Sequence, residues 1–96
     1  GEALTFARIP SNWLVLQRGL PTLLIEESGT RLTTIQGCDD GLIQQSLKAW
    51  LDHLASFEAR VTVEKWNGEK GLESSGKTIL EAAGFYRNYP GMRWER

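Results

Sequence analysis

The sequence is short of the residues that do most protein chemistry. Its 96 residues include one cysteine, Cys38, one histidine, His53, and one methionine, Met92. A single Cys rules out an internal disulfide. No Cys/His group has the spacing of a metal site, so neither a disulfide scaffold nor a zinc module is expected. An unpaired thiol fits a reducing, cytoplasmic compartment. An excess of charge is lacking too, since 11 Lys and Arg against 12 Asp and Glu leave a net charge of −1. This argues against a strongly basic, stand-alone nucleic-acid binder. It leaves room for a module whose parent chain supplies the positive field. No apolar run is long enough to span a bilayer and no secretory signal is visible, so no membrane partner is expected.

What the chain does hold is aromatic. Four Trp, three Phe and two Tyr in a 41% hydrophobic composition supply enough apolar area to offset the entropy of ordering. One domain over residues 1–96, with a modest core, is expected. The first residue is Gly rather than Met, and the expectation is an excised C-terminal piece of a longer chain.

The first half reads as an antiparallel β meander of about three strands. Asn12–Leu16, Thr22–Glu26 and Arg31–Ile35 are apolar or alternating runs, separated by turns at Gly19 and Ser28-Gly29. Asp39 or Asp40 then caps an amphipathic helix over about Asp40 to Ser56. Ile43, Leu47, Trp50, Leu51 and Leu54 fall on one side of it, and Gln44, Gln45, Lys48 and Asp52 on the other. Arg60–Trp66 alternates again and Asn67-Gly68 is a hairpin signal, with Lys70–Glu73 as the returning strand. Ser74 or Ser75 caps a short second helix, Lys77–Ala83, which Gly84 ends while Phe85 packs back. A Pro90-Gly91 turn leads into a C-terminal strand through Met92, Arg93 and Trp94. The fold class is therefore α+β.

Gly71-Leu72-Glu73-Ser74-Ser75-Gly76-Lys77-Thr78 matches the phosphate-binding pattern G-x-x-x-x-G-K-S/T at every defined position. In a true P-loop, backbone N–H groups and a helix N-terminus cradle phosphates, Lys neutralises them, and Ser/Thr binds magnesium. The context here is wrong. Such a loop follows a buried parallel strand, whereas this one follows a charged hairpin carrying Glu64, Lys65, Glu69 and Lys70. Its helix has only about two turns, and no second apolar strand ends in Asp to hold the metal. Gly71, Gly76, Lys77 and Thr78 are therefore read as an accidental match. No cofactor and no metal is expected to bind.

The other reactive residues read as bland. His53 is a solvated helix-end histidine favourable to the helix dipole, with no triad partner placed by sequence. Cys38, beside a helix N-terminus, is a partly buried thiol. The pairs Glu26, Glu27 and Asp39, Asp40 are solvated turn and cap residues. No catalytic residue is assigned. The tail is different, because Arg87, Tyr89, Arg93, Trp94 and Arg96 interleave cations with rings. That composition suits single-stranded DNA, whose bases stack on rings while Arg pairs with phosphates. Alternation along a strand also allows Met92 and Trp94 to pack inward while Arg93 faces water.

The second half resembles the last segment of the Lhr (large helicase-related) family of superfamily-2 helicases. Val61–Glu69 resembles that family's "TVEK-x-(N/D)-G-E" strand and turn. Ile79–Phe85 resembles its short helix ending in "AGF", and Pro90-Gly91-Met92-Arg93 its closing basic strand. Leu14–Ile35, with Glu26–Arg31 in the turn, is similar to the family's upstream strands. The tail departs from the family pattern, with fewer basic residues and more aromatics. The resemblance implies a parent ATP-dependent DNA helicase, with ATP and magnesium held by upstream motor domains and a link to DNA repair. This chain would then be a non-catalytic accessory module that touches DNA or those upstream domains. Two other functions stand beside that one. One is nucleobase processing of the DNA-glycosylase kind, for which Glu95 and the aromatic tail are the only candidates. The other is a protein interface built on partly exposed Trp13, Trp50, Trp66 and Trp94.

Overall fold

The computed structural model describes residues 4–9, 11–55, 60–71 and 74–95. Its β1 (Leu4–Ile9), β2 (Asn12–Gln17), β3 (Leu20–Glu26) and β4 (Arg31–Thr34) form an antiparallel meander. Helix α1 (Asp40–Leu54) follows, and then β5 (Arg60–Val63), β6 (Lys65–Trp66) and β7 (Glu69–Lys70). Helix α2 (Lys77–Ala82), β8 (Tyr86–Asn88) and β9 (Gly91–Glu95) complete the described chain. The α+β class expected from the sequence holds. Two sheets result, one ordered β1-β2-β3-β4-β6-β7 and the other β5-β9-β8.

The meander gains a strand that the sequence reading missed, because β1 pairs along its whole length with β2. The Arg60–Trp66 run is also not one strand. It breaks at Glu64, whose N–H donates to Thr30 O at 2.8 Å, as does that of Lys65 at 3.1 Å. Before the break, β5 pairs with β9 in the small sheet; after it, β6 runs parallel to β4 in the large one. The hairpin at Asn67-Gly68 survives with two residues on each side. Leu72 and Glu73, expected in the returning strand, lie outside the described residues, as does Ser56 at the expected helix end.

Helix α1 starts where the sequence asks it to. Asp39 is the N-cap, and its carboxylate accepts the Leu42 N–H at 2.7 Å, satisfying a donor the helix leaves free. The stripe Ile43, Leu47, Trp50, Leu51 and Leu54 is buried. It meets Trp13, Val15, Leu23, Ile25 and Leu32 of the meander in one core. Ser46 is also buried in this face, and its hydroxyl pairs with Thr22 at 2.8 Å, while Thr22 donates to Val15 O at 3.1 Å. A polar pair in an apolar core is tolerated because both hydroxyls are bonded. His53, exposed at the helix end, is more than a solvated ring. It stacks on Phe6 at 4.6 Å and meets Trp13 edge-on at 5.3 Å.

The turn between β3 and β4 brings the two sheets together. Glu27, Ser28 and Gly29 all have positive φ, at 52°, 59° and 104°. Left-handed backbone costs a non-Gly residue about 1–2 kcal/mol, so packing must hold this turn. Gly29 is buried beneath β5, where an added Cβ would stand 2.6 Å from Val61 Cγ1 and 3.2 Å from Trp50 Cη2. Ser28 N–H donates to Ser11 O, and Glu27 N–H to Asn12 Oδ1. Arg31 clasps the outer side, 3.3 Å from Glu27 and 3.7 Å from Glu26.

Candidate nucleic-acid interface

The small sheet decides which tail residues share a surface. Met92 of β9 lies between Val63 of β5 and Arg87 of β8, and Met92 and Val63 are fully buried. Trp94 lies on that same inward face, since it is two residues along, and it packs against the core as a half-buried ring. The next row points outward. Tyr86, Arg93 and Thr62 lie side by side across the three strands, and Arg60 and Glu95 form the row beyond. Arg93 Nε donates to Thr62 Oγ1 at 3.4 Å, and the Tyr86 hydroxyl donates to Glu95 Oε1 at 2.7 Å.

The expected residues are thus divided. Arg93 stands on the outer face. Tyr89 sits at the tip of the β8–β9 hairpin, 82% exposed. Arg87 points toward the inner side by register but is exposed on the edge strand. Trp94 is turned inward, away from Arg93. Arg96 lies outside the described residues. The structure adds Tyr86, 46% exposed, with Arg60 and Thr62, none of which was singled out as a binding residue. Tyr86 had its signal in the two-residue spacing from Asn88 and its pairing with the β9 alternation. Arg60 and Thr62 arrive from a strand some thirty positions upstream, and only the pairing of β5 with β9 reveals them.

Electrostatics on this face are mixed. Arg60 and Arg93 supply two positive charges against the one of Glu95. The Tyr86 hydroxyl is held above its ordinary pKa of 10.0, first by its hydrogen bond to Glu95 and then by desolvation and the charge of that carboxylate, with Arg93 opposing. The bond also fixes the ring, so an exposed aromatic face is presented beside the Arg93 guanidinium. Glu95, considered for base chemistry, lies exposed on the open sheet with its carboxylate accepting this bond.

The Gly71–Thr78 string has other tasks. Gly71 N–H donates to Glu64 O at 2.9 Å, and Gly76 N–H to Ser74 Oγ at 3.1 Å. Gly76 packs flat on the buried Trp66, and a Cβ there would enter the indole ring. The strand before the string is the two-residue β7 at the sheet edge, and α2 has six residues. Its N-cap is Gly76, without a side-chain cap, in place of the expected Ser74 or Ser75. The helix closes at Gly84, φ 103°, and Phe85 is buried. Among the described residues no group of three or more His, Cys, Asp or Glu is placed to hold a metal, and no helix is long and apolar enough to cross a membrane. The exposed-tryptophan surface is corrected as well: Trp13, Trp50 and Trp66 are buried, which leaves only Trp94 half-exposed.

A scan against protein-family models finds no match, and comparisons with curated proteins and with solved structures find no relative.

Proposed function

We propose that this chain is a non-catalytic accessory module that binds a single nucleic-acid strand across the outer face of β5, β9 and β8. The observation that carries the reading is the row Tyr86–Arg93–Thr62, with Arg60 one row on and Tyr89 at the hairpin tip. Exposed rings next to guanidinium groups are what a sequence-tolerant strand binder needs, because every base has a π-face and every nucleotide a phosphate. The resemblance to Lhr helicases supports the same reading and adds a parent. In that parent, ATP and magnesium belong to upstream motor domains, and this module would engage single-stranded DNA leaving them.

The test is fluorescence anisotropy of a labelled oligo-dT with the isolated chain at low salt. Weak, salt-sensitive binding is expected. Loss of one stacking residue, Tyr86→Ala or Tyr89→Ala, costs about 1–3 kcal/mol per base contacted. Binding that is unaffected by Arg93→Ala and Arg60→Ala together would refute the reading, as would no binding at low salt.

A further inference from the structure

The outer face of the small sheet runs into a cavity of about 210 Å³. It lies where β5 meets the left-handed turn, the start of the meander and the end of α1. Two arginines line it, Arg8 from β1 and Arg60 from β5. Arg60 and Thr62 belong both to the cavity wall and to the outer rows of the sheet. Arg8 sits over Trp13, its guanidinium carbon 4.6 Å from the ring centroid. A cation–π contact does not use up the five N–H donors of a guanidinium, which remain for an acceptor. Among the described residues neither arginine meets a carboxylate within ion-pair distance.

The remaining wall is rich in donors. Ser28 contributes a hydroxyl that bonds no described residue, and Thr62 accepts from Arg93 while keeping its own O–H to donate. Trp50 forms part of the wall as a buried ring, and among the described residues its Nε1–H meets no acceptor. One carboxylate, Glu27, also lines the cavity. It is neutralised from outside by Arg31 at 3.3 Å. Buried Trp50 and Leu54 form the apolar, core-facing part of the cavity. The strained pair Glu27 and Ser28 sits in the same wall. Backbone strain gathers where a site must be held in one shape.

We propose that this cavity is a phosphate pocket that takes the terminal phosphate of the strand lying across the small sheet. The inference rests on the strand-binding reading for its source of phosphate, while the phosphate chemistry stands on the cavity alone. Two guanidinium groups give the forked, charge-assisted contacts that phosphate oxygens accept. A terminal phosphate carries nearly two negative charges and three free oxygens, so a pair of guanidinium groups favours it over a singly charged internal phosphodiester.

The experiment follows the indole N–H signals of the four tryptophans in two-dimensional NMR spectra. Inorganic phosphate should move the Trp13 and Trp50 signals saturably and move Trp66, which does not line the cavity, far less. Arg8→Gln with Arg60→Gln should abolish the movement at an unchanged melting temperature, whereas Arg93→Ala should preserve it. In the second arm, oligo-dT phosphorylated at one end should bind about tenfold tighter than the unphosphorylated strand, the gain of one charge-assisted contact. No saturable movement with inorganic phosphate, or movement that persists in the double variant, overturns the pocket. Phosphate binding with equal affinity for both strands overturns the strand-end source. Phosphate binding with no strand binding refutes the sheet reading instead and leaves free phosphate as the occupant.

Discussion

Replacing Gly76 by Ala asks what the Gly71–Thr78 string is for. Gly76 has φ −76°, a value any residue adopts, so alanine brings no backbone strain. With room to spare, the change would stabilise by about 0.4–1 kcal/mol through the unfolded state. Room is absent. The added Cβ would fall within the Trp66 indole, against Cδ2, Cε2 and Cγ, and Trp66 is only 2% exposed. Overpacking of this kind costs about 1–3 kcal/mol. The obstacle is the flat body of a buried bicyclic ring, so the upper half of that range applies, and about 2 kcal/mol remains after the backbone gain. On a chain of this size that lowers Tm by roughly 8–16 °C. Urea unfolding followed by Trp fluorescence and far-UV circular dichroism measures it. Lys77→Ala is the control, expected within about 0.5 kcal/mol of wild type because Lys77 is a half-exposed side chain in the first turn of α2. A Gly76→Ala protein as stable as wild type would refute the packing argument. Micromolar ATP binding that Lys77→Ala removes would return the string to nucleotide chemistry.

Three further outcomes follow from particular contacts. Thr22→Val should destabilise by about 1–3 kcal/mol, since it removes both hydroxyl bonds and strands the buried Ser46 hydroxyl, whereas Ser46→Ala should cost only about 0.5–1.5 kcal/mol because Thr22 still donates to Val15; equal costs in denaturant titrations would contradict that donor order. Tyr86 should titrate above the ordinary tyrosine range, and Glu95→Gln should bring it down. The fold favours the neutral phenol, so this contribution to stability is complete at neutral pH and fades as pH rises beyond the ordinary tyrosine pKa. Alkaline absorbance in a Tyr89→Phe background, which leaves Tyr86 as the sole tyrosine, reads it directly, and no change on Glu95→Gln would contradict the assigned cause. Strand affinity should fall with salt with a slope of about −0.7 per phosphate contacted, and Arg93→Ala should reduce that slope by about 0.7; an unchanged slope would mean that Arg93 touches no phosphate.

How much of this was legible depends on how local each feature is. Helix α1 carries its whole specification within itself: the Asp39 cap, the apolar stripe and the opposite polar face. The alternation of Met92, Arg93 and Trp94 also correctly set one ring inward and the guanidinium outward. The strand β1 carries a local signal too, since Leu4 and Phe6 pack inward while Thr5 and Ala7 are exposed. Other features are not local. Nothing near Glu64 says that the chain leaves one sheet for another there. The cause is the Thr30 carbonyl, which captures the N–H groups of Glu64 and Lys65 from across the fold. That switch delivers Arg60 and Thr62 to β9 and builds the cavity beside Arg8. For this reason the tail could be named as a surface from its composition, while its partners could not. Gly76 shows the opposite difficulty. Its motif is fully legible and misleading, because the reason for glycine is Trp66, ten positions away and in another element.

The most direct test of the strand-binding face is to map it. Backbone amide shifts of the isotopically labelled chain, followed during titration with unphosphorylated oligo-dT, should concentrate at Tyr86, Arg93, Thr62 and Arg60, and leave the β2–β3 core and α2 unmoved. Shifts centred on Lys77 and the first turn of α2, or scattered without a focus on β5 and β9, would contradict the account.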